Sequence, residues 1–148
     1  MKLKNKMSIE ILSLPENVAL ARVTVAAFAA QLDFTLEDLE EIKVAVSEAV
    51  SNSLIHGYAN KTDCMVGINA VIYDNDVLEV EIKDNGVGIA DIQQAMQPAY
   101  STTPERMGLG FSFMQSFMDS VQVDSAPGQG TTVKLTKKPS KTVDKQDN

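Results

Sequence analysis

The chain has one cysteine, one histidine, few basic residues and no long apolar run, and each shortage closes a class of function. Cys64 has no second thiol to pair with, so no internal disulfide frames the fold. His56 stands without a Cys or His cluster, which excludes a zinc site built from several converging ligands. Nor does it belong to a Ser, His, Asp arrangement of the hydrolase kind; near a helix end it reads as a capping residue. The balance of 13 Lys and Arg against 20 Asp and Glu leaves a net charge of −7, the wrong sign for a nucleic-acid or anionic-membrane surface. A basic patch on a partner is the expected complement. The most apolar stretch, Val23 to Ala30, is far short of the roughly 20 residues of a spanning helix. Met1 to Met7 is polar and lysine-rich with no apolar segment behind it, so the expected compartment is the cytoplasm.

The 148 residues suffice for one domain with a real core and are too few for two ordinary ones. Residues 1–136 are expected to form it, and 137–148, polar and lysine-containing, to be a disordered tail. Ile9 to Leu12 predicts a short edge strand. Ser13 with Glu16 predicts a capping box ahead of a helix from about Pro15 to Gln31. Thr35 with Asp38 repeats that signal before Leu39, Ile42, Val46, Val50 and Leu54, which recur at helical spacing up to a stop at Gly57. The period then changes to that of strands. Met65 to Tyr73 and Val77 to Lys83 read as a hairpin around Asp74 to Asp76. A short helix over Ile89 to Gln97, an irregular stretch Pro98 to Met107, a helix over Gly110 to Met118 and strands at Val121 to Val123 and Thr131 to Leu135 complete the pass. No internal repeat is visible. This order predicts an α+β two-layer sandwich, a mainly antiparallel sheet with helices on one face. The other face is expected to be partly exposed or used for association.

Four short motifs carry the chemistry. Glu48 and Asn52, four residues apart, project from one face of a helix that is apolar nearly all round. Buried polar groups there need partners, and a hard cation such as Mg²⁺, which takes oxygen ligands and arrives with phosphates, is one. A surface Glu and an Asn bonded to nearby backbone is the other reading. Asp84, Gly86 and Gly88 follow a strand; they are either an ordinary turn or a carboxylate placed to accept a bond from an exocyclic amine such as that of adenine. Gly108 and Gly110 stand before the helix expected from Phe111, where free N–H groups favour an anion, or else form a simple glycine cap. No third glycine makes them a dinucleotide fingerprint. Gly130, Thr131 and Thr132 open the last strand, with Thr131 able to extend a hydrogen-bond network to a base. On the first helix Arg22 has no acidic residue three or four positions away, and is either solvated or presented to an acidic partner.

Taken together, Glu48 to His56, Asp84 to Gly88, Gly108 to Gly110 and Gly130 to Thr132 resemble the four ordered boxes of the GHKL ATPases, whose fold is named for Bergerat. The resemblance runs from roughly Met7 to Leu135. It is nearest to the small serine kinases of that superfamily that act as anti-sigma factors, through Ala21 to Phe28, Ser47 to Asn52, His56 to Tyr58 and Ser116 to Asp119. The resemblance implies ATP or ADP with Mg²⁺ as cofactors: Asn52 as the metal ligand, Asp84 at the adenine amine with Gly86, Gly88 and Thr131 around the base, and Gly108 and Gly110 at the phosphates. It places Glu48 as general base, Pro98 to Met107 as a lid over the nucleotide with Thr103 in it, and Arg106 near the terminal phosphate. The implied partners are a sporulation sigma factor, a serine-bearing anti-anti-sigma protein as substrate, and a second copy in a homodimer through the sheet side, with Arg22 as a partner contact. Neither direct nucleic-acid binding nor a membrane is implied. A related general-stress switch kinase and a nucleotide-gated binding module without catalysis remain open as alternatives.

Overall fold

The structure, a computed structural model, describes residues 1–96 and 106–140, without the side chains of 93 and 106–109. Strands β1 (Leu3–Leu12), β2 (Met65–Tyr73), β3 (Leu78–Asp84), β4 (Ser120–Ser125) and β5 (Thr131–Lys137) make one antiparallel sheet in the order β1-β2-β3-β5-β4. Alternation separates its faces. Val66, Ile68, Ala70 and Ile72 of β2, Leu78, Val80 and Ile82 of β3, and Val133 and Leu135 of β5 are buried against the helices. The intervening Glu79, Glu81, Lys83, Thr132 and Lys134 form an open polar face. Helices α1 (Asn17–Ala29), α2 (Leu36–Asn52), the short α3 (Ile92–Ala95) and α4 (Arg106–Phe117) complete the expected α+β sandwich. The helix layer is apolar where it meets the sheet, through Val25 and Phe28 of α1, Ile42, Val46 and Val50 of α2, and Phe111 and Met114 of α4. Among the described residues no helix is long and apolar enough to cross a membrane.

Several elements differ from the sequence reading. The first strand is ten residues long, not four, because Met7, Ile9 and Ile11 face the helices in register with β2 while Lys4, Lys6, Ser8 and Glu10 face outward. Polar residues at a sheet edge do not break pairing, and lysines there discourage further strands from adding. The capping box expected from Ser13 and Glu16 does not form. The Ser13 hydroxyl donates to the Lys61 carbonyl at 2.6 Å and accepts from the Cys64 N–H at 3.1 Å, so it ties β1 to the segment before β2. α1 starts at Asn17 with no side-chain cap. Lys137, expected to open the tail, is instead the last residue of β5 and lies inside the fold. Its ammonium donates to the Phe117 carbonyl at 2.5 Å and to Glu41 Oε1 at 3.2 Å. Residues 141–148 lie outside the described residues.

The Thr35 and Asp38 box does form. Asp38 N–H donates to Thr35 Oγ1 at 3.0 Å, and the Thr35 N–H donates back to the Asp38 carboxylate at 3.2 Å. Asp38 also accepts from the Ser140 N–H at 3.1 Å and hydroxyl at 2.7 Å, which fastens the end of the fold to the start of α2. Burial pushes the Asp38 carboxyl up, but the Ser140 and Thr35 bonds and the Lys137 charge outweigh it and hold it below its ordinary value.

Removing the cap as Thr35→Ala is expected to cost about 1 kcal/mol and to lower Tm by a few degrees, read by thermal melting. A carboxyl with a depressed folded value contributes stability above its unfolded value and loses it as pH falls through the folded one. The parent's acid loss of stability is therefore expected to shrink in Asp38→Asn, measured as Tm against pH in the acid range.

Candidate functional site

α2 brings the first pair together. Its buried stripe, Ile42, Ala45, Val46, Ala49 and Val50, fixes the rotation of the helix and leaves Glu48 and Asn52 on the edge that meets α4. Gly110 stands over that edge. A Cβ there would lie 3.1 Å from both Asn52 Nδ2 and Glu48 Oε1, and 3.4 Å from Asn52 Oδ1, so any larger residue would press on this pair and glycine leaves it room. Asn52 is 9 % exposed, and neither polar atom of its carboxamide has a hydrogen-bond partner among the described residues. An unmade bond of this kind costs roughly 1–3 kcal/mol, so the group is set for a partner that the described residues do not supply. The carboxamide oxygen of Asn52 suits Mg²⁺, whose other positions are usually water and phosphate. Among the described residues no cluster of three or more His, Cys, Asp and Glu side chains competes for a softer metal.

The second group sits at the ends of β3 and β5, paired through Asp84 and Thr131. Asp84 is 3 % exposed. Its carboxylate accepts from the Gly86 N–H at 2.9 Å, from the Ser53 hydroxyl and from the Thr131 N–H. Burial nevertheless pushes the carboxyl above its ordinary value, the bonds from Gly86, Ser53 and Thr131 pulling it only part of the way back. A wide π-helical turn over Ser53–Gly57 continues α2, closed by the Tyr58 N–H on the Ser53 carbonyl at 2.9 Å. That turn delivers both Ser53 and Gly57 to the carboxylate; a Cβ on Gly57 would stand 2.9 Å from Asp84 Oδ1. π turns inserted in helices occur often at functional sites. Gly86 lies against the Gly57 backbone and Gly88 against that of Ala126. The Val87 N–H donates to the Gly57 carbonyl at 3.0 Å, which binds the loop after β3 to the end of the helix.

The structure thus brings Glu48, Asn52 and Gly110 into one group and Asp84, Gly86 and Thr131 into another, with Asn52 and Ser53 consecutive between them. It revises the place of the glycines. Gly108 and Gly110 lie inside α4, which starts at Arg106 and not near Phe111. Gly108 is the third described residue of α4. A glycine in a helix interior costs about 1 kcal/mol against Ala, but the buried Phe111 and Met114 anchor the helix, and Gly110 permits its contact with α2. Arg106 is the first described residue of α4, its side chain not described, and Thr103 with the rest of 98–105, expected as part of a lid, lies outside the described residues. Arg22 is exposed on α1, remote in sequence from both groups. Sequence reasoning missed Ser53, Tyr58 and Ser125. Tyr58 donates its hydroxyl to the Met65 carbonyl at 2.5 Å and accepts the Asn85 N–H at 2.8 Å, which anchors the loop after Asp84. A signal existed only for Ser53, next to a candidate metal ligand on an apolar helix.

A family model described as the histidine kinase-like ATPase domain matches residues 11–137, and the chain belongs to that family, the GHKL ATPases. Its relatives at about half identity carry a more particular name, Anti-sigma F factor. The protein of that name from Clostridium beijerinckii is 53 % identical over 136 residues, 90 % of this chain and 94 % of the relative. That from Bacillus subtilis strain 168 is 48 % identical over 141 residues, 94 % of this chain and 96 % of the relative. Among solved structures, the RsbU and RsbW domains of a Mycobacterium tuberculosis protein match with a TM-score of 0.64 at 18 % identity, over 91 % of this chain and 32 % of that one. The mycobacterial sensor histidine kinase MprB matches with a TM-score of 0.58 at 17 % identity, over 92 % of this chain and 100 % of that one. These two likenesses concern the fold.

The buried Asp84 generates a stability prediction. A carboxyl whose folded value is raised binds its proton more tightly in the native state, so its charged form lowers stability at neutral pH and the loss disappears as pH falls through the raised value. The nucleotide-free Asp84→Asn variant is therefore expected to be at least as stable as the parent at about pH 7, the gap narrowing towards about pH 4. Thermal melts across that range check this; a variant clearly less stable at neutral pH contradicts it.

Proposed function

We propose that the protein is an Mg-ATP-dependent serine kinase that also acts as an anti-sigma factor, binding and inhibiting a sporulation sigma factor, sigma F, and phosphorylating a serine of its anti-anti-sigma antagonist. The observation that carries this reading is the buried Asn52 carboxamide, unpartnered among the described residues and set beside Glu48 under Gly110. The name shared by the relatives supplies the sigma factor as partner.

In this reading Asp84 accepts a hydrogen bond from the adenine amine, with Gly86, Gly88 and Thr131 around the base. Asn52 ligands the metal through Oδ1. Gly108 and Gly110 face the phosphates, Gly108 among the first described residues of α4, a helix whose dipole favours negative charge towards its N-terminal side. Magnesium, when bound, would neutralise charge on the phosphates, the larger part of what phosphoryl transfer requires. Glu48, one turn from Asn52 on the same face, takes the proton of the substrate serine hydroxyl as general base. Thr103 and Arg106 belong to the same reading as lid contacts at the nucleotide and its terminal phosphate. The open polar face of the sheet serves the homodimer. Arg22 serves the partner: it is exposed on α1 between Leu20 and Val23, themselves 52 % and 57 % exposed, an apolar setting around one guanidinium that suits an acidic, partly apolar surface.

Labelled phosphate from ATP appearing on a serine of the antagonist tests the kinase; ATP binding without transfer would make the protein a nucleotide-gated module. Glu48→Gln is expected to keep nucleotide affinity within about tenfold and to slow transfer by roughly 10²-fold or more, the usual scale for loss of a general base. Normal transfer by that variant would assign Glu48 to metal orientation instead. Arg22→Ala is expected to leave ATP binding unchanged and to weaken capture of the sigma factor, the antagonist or both by about 2 kcal/mol or more, the scale of an interface hot spot. Unchanged affinity for both proteins in a titration would move the docking surface elsewhere.

A further inference from the structure

One hydroxyl joins the loop after β3 to the turn before β5. Ser125, the last residue of β4, pairs with Thr131 at the head of β5. Its Oγ accepts from the Ile89 N–H at 2.8 Å, lies 2.8 Å from the Gly130 carbonyl and 2.8 Å from Thr131 Oγ1. A hydroxyl has one proton and two lone pairs, which makes this a closed count. The carbonyl of Gly130 has no proton to give, so the Ser125 proton goes there. The Ile89 N–H occupies one lone pair. The remaining contact is satisfied only if Thr131 donates its own proton into the second lone pair. Thr131 is thereby left with acceptor capacity alone, beside Asp84, whose carboxylate is also an acceptor.

We propose that Ser125 is a specificity-determining positioning residue: by holding the Thr131 proton, it leaves Thr131, like the neighbouring Asp84 carboxylate, as an acceptor towards the base. Such an edge suits the 6-amino group of adenine, a donor, and opposes the 6-oxo group of hypoxanthine or guanine, an acceptor that finds no proton there. The inference rests on the reading of Asp84 and Thr131 as the base pocket. Without Ser125 the Thr131 proton is free to turn to a 6-oxo group.

Calorimetric affinities for Mg-ATP and Mg-ITP, in the whole chain, test this. The parent is expected to prefer ATP. Ser125→Ala is expected to narrow the ATP to ITP ratio by about tenfold, the scale of one hydrogen bond gained, mainly by tighter ITP binding. Ser125→Thr, which keeps the hydroxyl, is expected to retain the parental ratio, and Ser125→Ala with Thr131→Val to give the same ratio as Thr131→Val alone, since Ser125 then has no hydroxyl to orient. Equal weakening of both nucleotides by Ser125→Ala, the ratio unchanged, would reduce Ser125 to a brace and overturn the inference. Should Ser125→Ala fail to fold, Thr131→Val alone decides: improved ITP binding relative to ATP supports an acceptor at Thr131, and the reverse overturns it. A parent that binds neither nucleotide, or both equally, would instead remove the base-pocket reading itself.

Discussion

Asp84 needs hydrogen-bond donors on all sides and almost no space, and much of the neighbouring backbone is arranged by that requirement. A carboxylate buried without compensation is costly, and here the compensation comes from two backbone N–H groups and the Ser53 hydroxyl. Supplying those donors means that three separate pieces of chain must converge on one strand end. The π turn at Ser53–Gly57 brings the end of α2, the loop after β3 brings Gly86, and the β3 to β5 pairing brings Thr131. Tyr58 then locks two of these together, since its hydroxyl bonds both to Met65 at the start of β2 and to Asn85. The excess of acceptor strength left on Asp84 is what an amine-bearing ligand would use.

α2 does double duty in this arrangement. One stripe of it is core, and the edge beside that stripe carries Glu48 and Asn52, so the position of the two polar groups is set by apolar packing. The two ends of the helix are treated differently. Its N-terminus is closed by a complete capping box and by Ser140 on Asp38, while Lys137 crosses to Glu41 and the Phe117 carbonyl nearby. Its C-terminus loosens into the π turn that reaches Asp84. A helix anchored at the end remote from the site keeps its register there, which is the condition for a buried carboxamide to stay aimed at a ligand.

The frame itself is shared widely. Structures with only 17–18 % identity superpose over most of the chain, one of them titled a sensor histidine kinase. Relatives at 48–53 % identity share one name. A fold of this kind hosts different activities, so partner choice must reside in what the frame displays and not in the frame. In the proposed reading, the exposed side of α1 around Arg22 and the polar face of the sheet are the surfaces on which that choice is made.

Strand alternation in β2 and β3, the Thr35 and Asp38 cap and the stripe of α2 were legible in the chain, because each is a local period or a contact three or four residues long. So was the two-layer architecture, and so were Glu48, Asn52, Asp84 and Thr131 as polar groups in apolar or turn surroundings. The start of α4 was not legible. Gly108 and Gly110 read as an anion site or a glycine cap ahead of a helix from Phe111, until both are seen within the helix and Gly110 close against α2. Ser13 gave a false cap because Lys61 and Cys64, distant in sequence, offer its hydroxyl better partners. Ser125 carries no local pattern, and the place of Ser53 beside Asn52 and of Tyr58 in the His56 to Tyr58 motif did not show their bonds; the importance of all three comes from which groups lie across from them. The sequence by itself determined periodicity, caps and the inventory of polar groups, all of which depend on neighbours along the chain. Tertiary structure alone decided which of those groups are buried, which are satisfied and which, like the Asn52 carboxamide, have no hydrogen-bond partner among the described residues, because desolvation and hydrogen bonding depend on neighbours in space.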